Sequence, residues 1–143
     1  MNRDQVLTEL QALKLTSGQY VVVGGAALAI RDIRDTEDID LVVTPQLFDE
    51  LAARGWQPKA RPSGKPGLKF ARAEAYLDVN CEAFGQSTSW LLEHAERVHD
   101  TLLVDLPTLA RFKAGYGRDK DVRDLQLISE HMRFTDATTS QGE

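Results

Sequence analysis

A single cysteine, Cys81, in 143 residues leaves no partner for an internal disulfide and cannot by itself build a thiolate metal site. Long apolar runs are missing too, since nothing approaches the ~18–20 residues that a bilayer span requires. The N-terminal MNRDQVLTEL has acids and no apolar core of the kind a secretory leader needs, so a cytoplasmic location is expected. Positive charge is not in excess: 17 Lys and Arg against 22 Asp and Glu give a net charge of −5. Broad duplex nucleic-acid binding, which rests on neutralising phosphates, is therefore disfavoured. The three histidines, His94, His99 and His131, have no metal-ligand spacing and are expected at the surface or at helix ends. No internal repeat and no low-complexity block interrupts the chain.

What remains is an ordinary globular composition, 42% hydrophobic and 27% charged. The length suits one domain, taken as residues 1–134, followed by a polar, flexible tail over 135–143. Val6, Leu7, Leu10 and Leu13 recur at helical spacing, and Ser17-Gly18 ends that helix. YVVVGG predicts a buried central strand stopped by Gly24-Gly25, with a short helix over AALAI. A strand follows from Ile39 to Val43, then Thr44 as N-cap and Pro45 at the first position of a helix closed by Gly55. Proline and glycine between Trp56 and Gly67 predict a loop, with an extended edge near Trp56. LKFAR and AYLDVNCEAF predict a hairpin whose tight connection is Ala73 to Ala75. HDTLLVDL predicts a further strand, Pro107 opens a helix to about Tyr116, and Asp119 to Met132 predicts a last amphipathic helix with Val122, Leu125, Ile128 and Ser129 near one stripe.

The unusual feature is RDTEDIDLVV, which puts Asp38 and Asp40 at the mouth of a buried strand. Aspartate is depleted in strands and like charges on one face repel. Residues i and i+2 share a face roughly 6.5–7 Å apart, so both acids face a cleft while Ile39, Leu41 and Val43 pack behind. The same alternation puts Tyr76, Asp78, Asn80 and Glu82 on one face and Leu77, Val79 and Cys81 on the other, where Cys81 is expected as an inert core thiol. If the two strands are neighbours, Asp78 joins Asp38 and Asp40, and such an oxygen cluster suits Mg²⁺ or Mn²⁺. Two such ions about 4 Å apart can clamp an in-line displacement at phosphorus. Gly24-Gly25, lying between a strand and a helix, offers bare backbone N–H groups to an anion.

These pieces, V-V-V-G-G, then R-D-T-E-D-I-D-L-V-V, then Y-L-D-V-N, and finally LPTLARFKAGYGRDKDVRDLQLI, resemble the nucleotidyltransferase superfamily related to DNA polymerase beta. In style they are most similar to small bacterial nucleotidyltransferases and AbiEii-type toxin domains, over about residues 20–128. The resemblance implies an α/β (α+β) fold, a mixed β-sheet flanked by helices. It implies metal-binding carboxylates at Asp38 and Asp40, a third at Asp78 that also deprotonates the acceptor, a triphosphate held at Gly24-Gly25, and Lys113 as a phosphate contact. The activity implied is Mg²⁺- or Mn²⁺-dependent transfer of a nucleoside monophosphate from an NTP to a protein, an RNA or a small molecule, with pyrophosphate released. The alternative is a noncatalytic module of the same fold that binds nucleotide or a partner protein, as in a toxin–antitoxin pair. Gly-Gly stands where many members have Gly-Ser, and no acceptor-binding domain is evident.

Plainer roles stand beside these. Arg34 and Thr36 either contact nucleotide or brace their loop, and Lys113, Arg118 and Lys120 either meet phosphate or pair with Asp121 and Asp124 across a helix junction. From Arg54 to Arg72 six basic residues occur without an acid. The stretch around Lys59, Arg61 and Lys65 predicts a solvated connector, with an RNA groove as the alternative. Gly64-Lys65 is not a phosphate-binding P-loop, because Pro66 follows it. DTEDID lacks the central glycine and closing glutamate of a calcium loop.

Overall fold

Asn2 and Gln5 open the first helix with a reciprocal cap, each side-chain oxygen accepting the other's backbone N–H at 2.9 Å. That helix, α1 (Arg3–Leu13), buries Val6 and Leu10 and ends at Lys14 in the left-handed conformation. The computed structural model describes residues 1–61, 65–78 and 87–141, with side chains up to 134. β1 (Tyr20–Val23) runs directly into α2 (Gly24–Ile30), whose residues from Ala26 to Ile30 are all buried. β2 (Ile39–Val43) leads to α3 (Pro45–Ala53), where the Thr44 hydroxyl accepts the Leu47 N–H at 3.2 Å. β3 (Gln57–Lys59), β4 (Gly67–Phe70) and β5 (Ala73–Tyr76) follow. Then come α4 (Thr88–Glu93), β6 (Glu96–Val98), β7 (Thr101–Leu103), α5 (Leu106–Tyr116) and α6 (Asp119–Gln141).

Among the described residues, seven strands form one mixed sheet in the order β3-β4-β5-β2-β1-β7-β6, with six helices around it. The longest β-branched run lies at the centre, where a strand is covered on both faces: Val21 and Val22 are fully buried, as are Ile39, Leu41 and Val43. α2 packs on β1 and β2, α1 packs on α2, and α5 packs against α6. No helix among the described residues is long and apolar enough to cross a membrane.

Two registers place the functional residues. β1 and β2 are antiparallel with Val23 opposite Asp40, so the chain leaves β1 through Gly24 beside the start of β2. β2 and β5 are parallel with Asp40 opposite Glu74 and Val42 opposite Tyr76. Paired residues share a face, so one surface of the sheet carries Asp40 and Val42 from β2 beside Glu74 and Tyr76 from β5.

The hairpin predicted around LKFAR forms, but its connection is Ala71-Arg72, not Ala73 to Ala75, and β5 starts at Ala73. Ala71 takes φ 53° there, a left-handed backbone that alanine enters at a cost. Strand β5 ends at Tyr76, and positions 79–86, including Val79, Asn80, Cys81 and Glu82, lie outside the described residues. The single strand expected in HDTLLVDL is the second half of the β6–β7 hairpin, turned by His99 and Asp100, both at positive φ. The stripe of α6 holds at Ile128 but differs elsewhere: Val122 is exposed, and among the described residues of the helix Asp121 and Asp124 are buried with Ile128. Helical backbone in α6 continues to Gln141, through most of the stretch expected as a tail.

Ala71 is exposed, so replacing it changes backbone freedom and little else. Ala71→Gly should raise stability by about 0.5–1 kcal/mol, the left-handed strain outweighing the entropy that glycine adds to the unfolded chain. Urea unfolding of the two proteins measures this, and a lower midpoint for the variant would contradict the assigned turn.

Candidate functional site

Gly24 leaves β1 at φ 63°, and a side chain there would start 3.0 Å from Oδ2 of Asp40. Glycine is needed for both reasons, the left-handed backbone and the close carboxylate. A Cβ on Gly25 would sit 2.7 Å from Oγ1 of Thr36 and 3.1 Å from Nη1 of Arg34. Gly24 therefore lets Asp40 approach the turn, and Gly25 does the same for Arg34 and Thr36. Thr36 itself braces the loop, donating from its hydroxyl to the Asp38 carbonyl at 3.0 Å.

These residues line a cleft of about 900 Å³ that also includes Asp38, Lys59, Arg61, Tyr76, Asp78, Lys113 and Tyr116. Asp38 is exposed, and neither Asp38 nor Asp40 forms an ion pair with a described residue. Asp40 is pushed up from 3.8 to about 6, first by burial and then by the negative charges of Glu74 and Asp38, with the charge of Lys59 opposing the shift. Glu74 moves the other way. Its burial favours the neutral form, but hydrogen bonds from Lys59 to Oε1 and from the Tyr76 hydroxyl to Oε2 outweigh that and lower it. The Tyr76 phenol is raised, by burial and by the bond to Glu74.

Asp78 lies in the same cleft but not beside Asp40. Arg61 donates to its Oδ1 at 3.0 Å, and Lys65 lies 2.9 Å from its Oδ2. Burial alone would raise Asp78, and these two cations instead hold it below the usual carboxylate range. The expected convergence of Asp38, Asp40 and Asp78 is thus not what forms. No three His, Cys, Asp or Glu side chains among the described residues are grouped to hold a metal ion. The physical reason is register: with the hairpin turned at Ala71-Arg72, Glu74 stands opposite Asp40, and Asp78 falls four positions further on, past the end of β5 at Tyr76. A connection at Ala73 to Ala75 hides Glu74, which lies within β5. Its signal was the i, i+2, i+4 spacing of Glu74, Tyr76 and Asp78.

A second charged cluster anchors the loop that carries Asp38. Arg34 grips Asp124 with Nε at 2.7 Å and Nη2 at 2.8 Å, and gives Nη1 to the Asp35 carbonyl at 2.7 Å. Lys113 Nζ lies 2.9 Å from Asp124 and 3.5 Å from Asp121, and Arg118 Nε binds Asp121 at 2.6 Å. Lys113, Asp121 and Asp124 are 6%, 0% and 3% exposed. Burial would raise both aspartates, but Arg118 lowers Asp121, while Arg34 and Lys113 lower Asp124. Lys113 is ion-paired and Arg34 and Thr36 brace their loop, and all three also line the cleft. The basic stretch at Lys59, Arg61 and Lys65 is no free connector, since each of the three meets a carboxylate. His94 is exposed, stacking on Trp90 at 4.0 Å between ring centres.

Compared with known proteins, the chain matches no family model, no curated protein and no solved structure.

Asp40 retains its proton in the folded state up to about pH 6, whereas the unfolded carboxyl loses it near 3.8. The native state therefore binds the extra proton between those values, so this group's contribution to stability is fully present below 3.8 and is lost as pH rises through 6. Asp40→Asn should unfold at a higher urea concentration than the parent above pH 6.5, by about 1–3 kcal/mol, with the gain shrinking toward pH 4. A gain independent of pH would reject the assignment. Asp124→Ala should cost about 3 kcal/mol, because it strands Lys113 and Arg34. A loss below about 0.5 kcal/mol in thermal or urea melts would show the cluster to be energetically idle.

Proposed function

We propose that the chain is a metal-dependent nucleotidyltransferase that binds an NTP in the cleft beside Asp40. The acceptor oxygen attacks the α-phosphorus, a new P–O bond forms, and the bond to the bridging oxygen breaks as pyrophosphate departs. One observation carries this reading: two carboxylates, Asp38 and Asp40, face a cleft at the mouth of β2, neither of them in an ion pair with a described residue, against a glycine turn that admits close approach. The resemblance of the sequence supports the same reading, and the strand, Gly-Gly, helix and acid-bearing strand that carry it follow one another in the fold.

The donor set fits a hard divalent ion in part. Mg²⁺ is commonly held by one or two carboxylates together with substrate phosphates and water, and Asp38 and Asp40 would hold Mg²⁺ or Mn²⁺ in that manner. When bound, such an ion would offset charge developing on the phosphoryl oxygens. Glu74 and Asp78 do not fit as further ligands while Lys59, Tyr76, Arg61 and Lys65 occupy their oxygens. Arg34, fixed over Gly25 by Asp124, presents a cation to the same cleft. The same engagement of Glu74 and Asp78 favours the second reading, a noncatalytic module that binds nucleotide or a partner protein without turnover.

The two readings separate in one experiment. Wild-type protein with Mg²⁺ and α-labelled NTPs should transfer label to an acceptor from a panel of RNA, proteins and small molecules. Asp38→Asn and Asp40→Asn should each lower the rate at least 100-fold, about 2.7 kcal/mol or more, with an unaltered circular dichroism spectrum. Variants that label at the parental rate would refute the proposed roles. Mg²⁺-dependent NTP binding without any product would select the noncatalytic reading.

A further inference from the structure

Lys59 and Arg61 belong to the stretch expected to be a connector, yet both are built into the wall of the cleft. Lys59 is bonded to Oε1 of Glu74. Arg61 donates to Asp78 and lies 4.4 Å over the centre of the Tyr76 ring. The ring in turn rests on Gly67, where a Cβ would fall 2.8 Å from Cε1, and its hydroxyl donates to Glu74. Glu74, Tyr76 and Asp78 thus hold two cations in fixed positions on one side of the cleft. Arg34, Arg118 and Lys120 line it elsewhere, and Asp38 and Asp40 contribute the acidic part.

We infer that Lys59 and Arg61 form a phosphate-binding wall for the triphosphate of the bound nucleotide, and that Glu74 and Asp78 position these cations and are not metal ligands. The inference deepens the nucleotidyltransferase reading and rests on it for the class of ligand. Drawing Glu74 and Asp78 onto a metal ion would strip the partners from both cations, and the Arg61 side chain is only 7% exposed. A polyphosphate entering the cleft meets those cations without breaking either pair, because an ammonium has three donors and a guanidinium five.

Inorganic tripolyphosphate tests this without nucleotide or metal. Titrated calorimetrically into the full chain in EDTA, it should bind the wild type, and Lys59→Gln and Arg61→Gln should each weaken binding at least fivefold. Arg61→Lys should recover part of the loss. Tripolyphosphate should also protect Lys59 of the wild type from acetylation, read by peptide mass spectrometry, so the result does not depend on whether a variant folds. In a separate Mn²⁺ titration, Asp78→Asn should bind within twofold of wild type, while Asp40→Asn should lose at least tenfold. Absence of wild-type binding, unchanged affinity in both Gln variants, unprotected Lys59, or loss of Mn²⁺ binding in Asp78→Asn would each overturn the inference. Label transfer that persists alongside any of those results leaves the enzymatic reading standing. Intact tripolyphosphate binding without transfer removes only the latter.

Discussion

A carboxylate at the mouth of a buried strand, facing a second carboxylate on the neighbouring strand, is the constraint around which this protein is arranged. Asp40 and Glu74 are opposed by the parallel register of β2 and β5, and they cannot both be charged and unscreened. The fold meets the problem unevenly. Glu74 receives Lys59 and the Tyr76 hydroxyl and stays ionised, while Asp40 forms no ion pair with a described residue, feels Lys59 only through its field, and is raised to about 6. Carboxyls displaced in this way inside a cleft are enriched at functional sites.

Much of the surrounding structure follows from keeping that acid where it is. Gly24 gives the chain a left-handed exit from β1 and leaves room for Oδ2 of Asp40. Gly25 clears space for Arg34 and Thr36, and Arg34 reaches across to α6, where Asp124 also takes Lys113. The loop bearing Asp38 is thereby tied to the C-terminal helices by buried charge, an arrangement that costs desolvation and repays it in a defined geometry only when every partner is present. On the other side of the cleft, Gly67 lets the Tyr76 ring lie flat and Arg61 lie over it.

Local chemistry made half of this legible. The β-branched run before Gly24, the Thr44-Pro45 helix start and the alternation through Ile39–Val43 are signals carried within a few residues, and each appears where expected. The turn after β4 carried no such signal: Phe70-Ala71-Arg72 has no glycine, proline, asparagine or aspartate, and Ala71 is forced to positive φ by the pairing of the strands beside it. A turn two residues later would remove Glu74 from the strand and carry Asp78 toward a cluster that it does not join. Val122, Asp121 and Asp124 invert the helical pattern for a similar reason, since the aspartates are buried by cations from elsewhere.

The order of residues alone determined that a pair of acids would stand at a strand mouth behind a glycine turn, because strand alternation and backbone sterics act over short distances. Which carboxylate would oppose Asp40, and which cations would neutralise the rest, was decided by tertiary structure. Register between strands, and ion pairs such as Arg34 with Asp124, separated by 90 positions, depend on packing that brings distant segments together. Burial then sets the energetic value of each charge, and burial is a property of the folded chain.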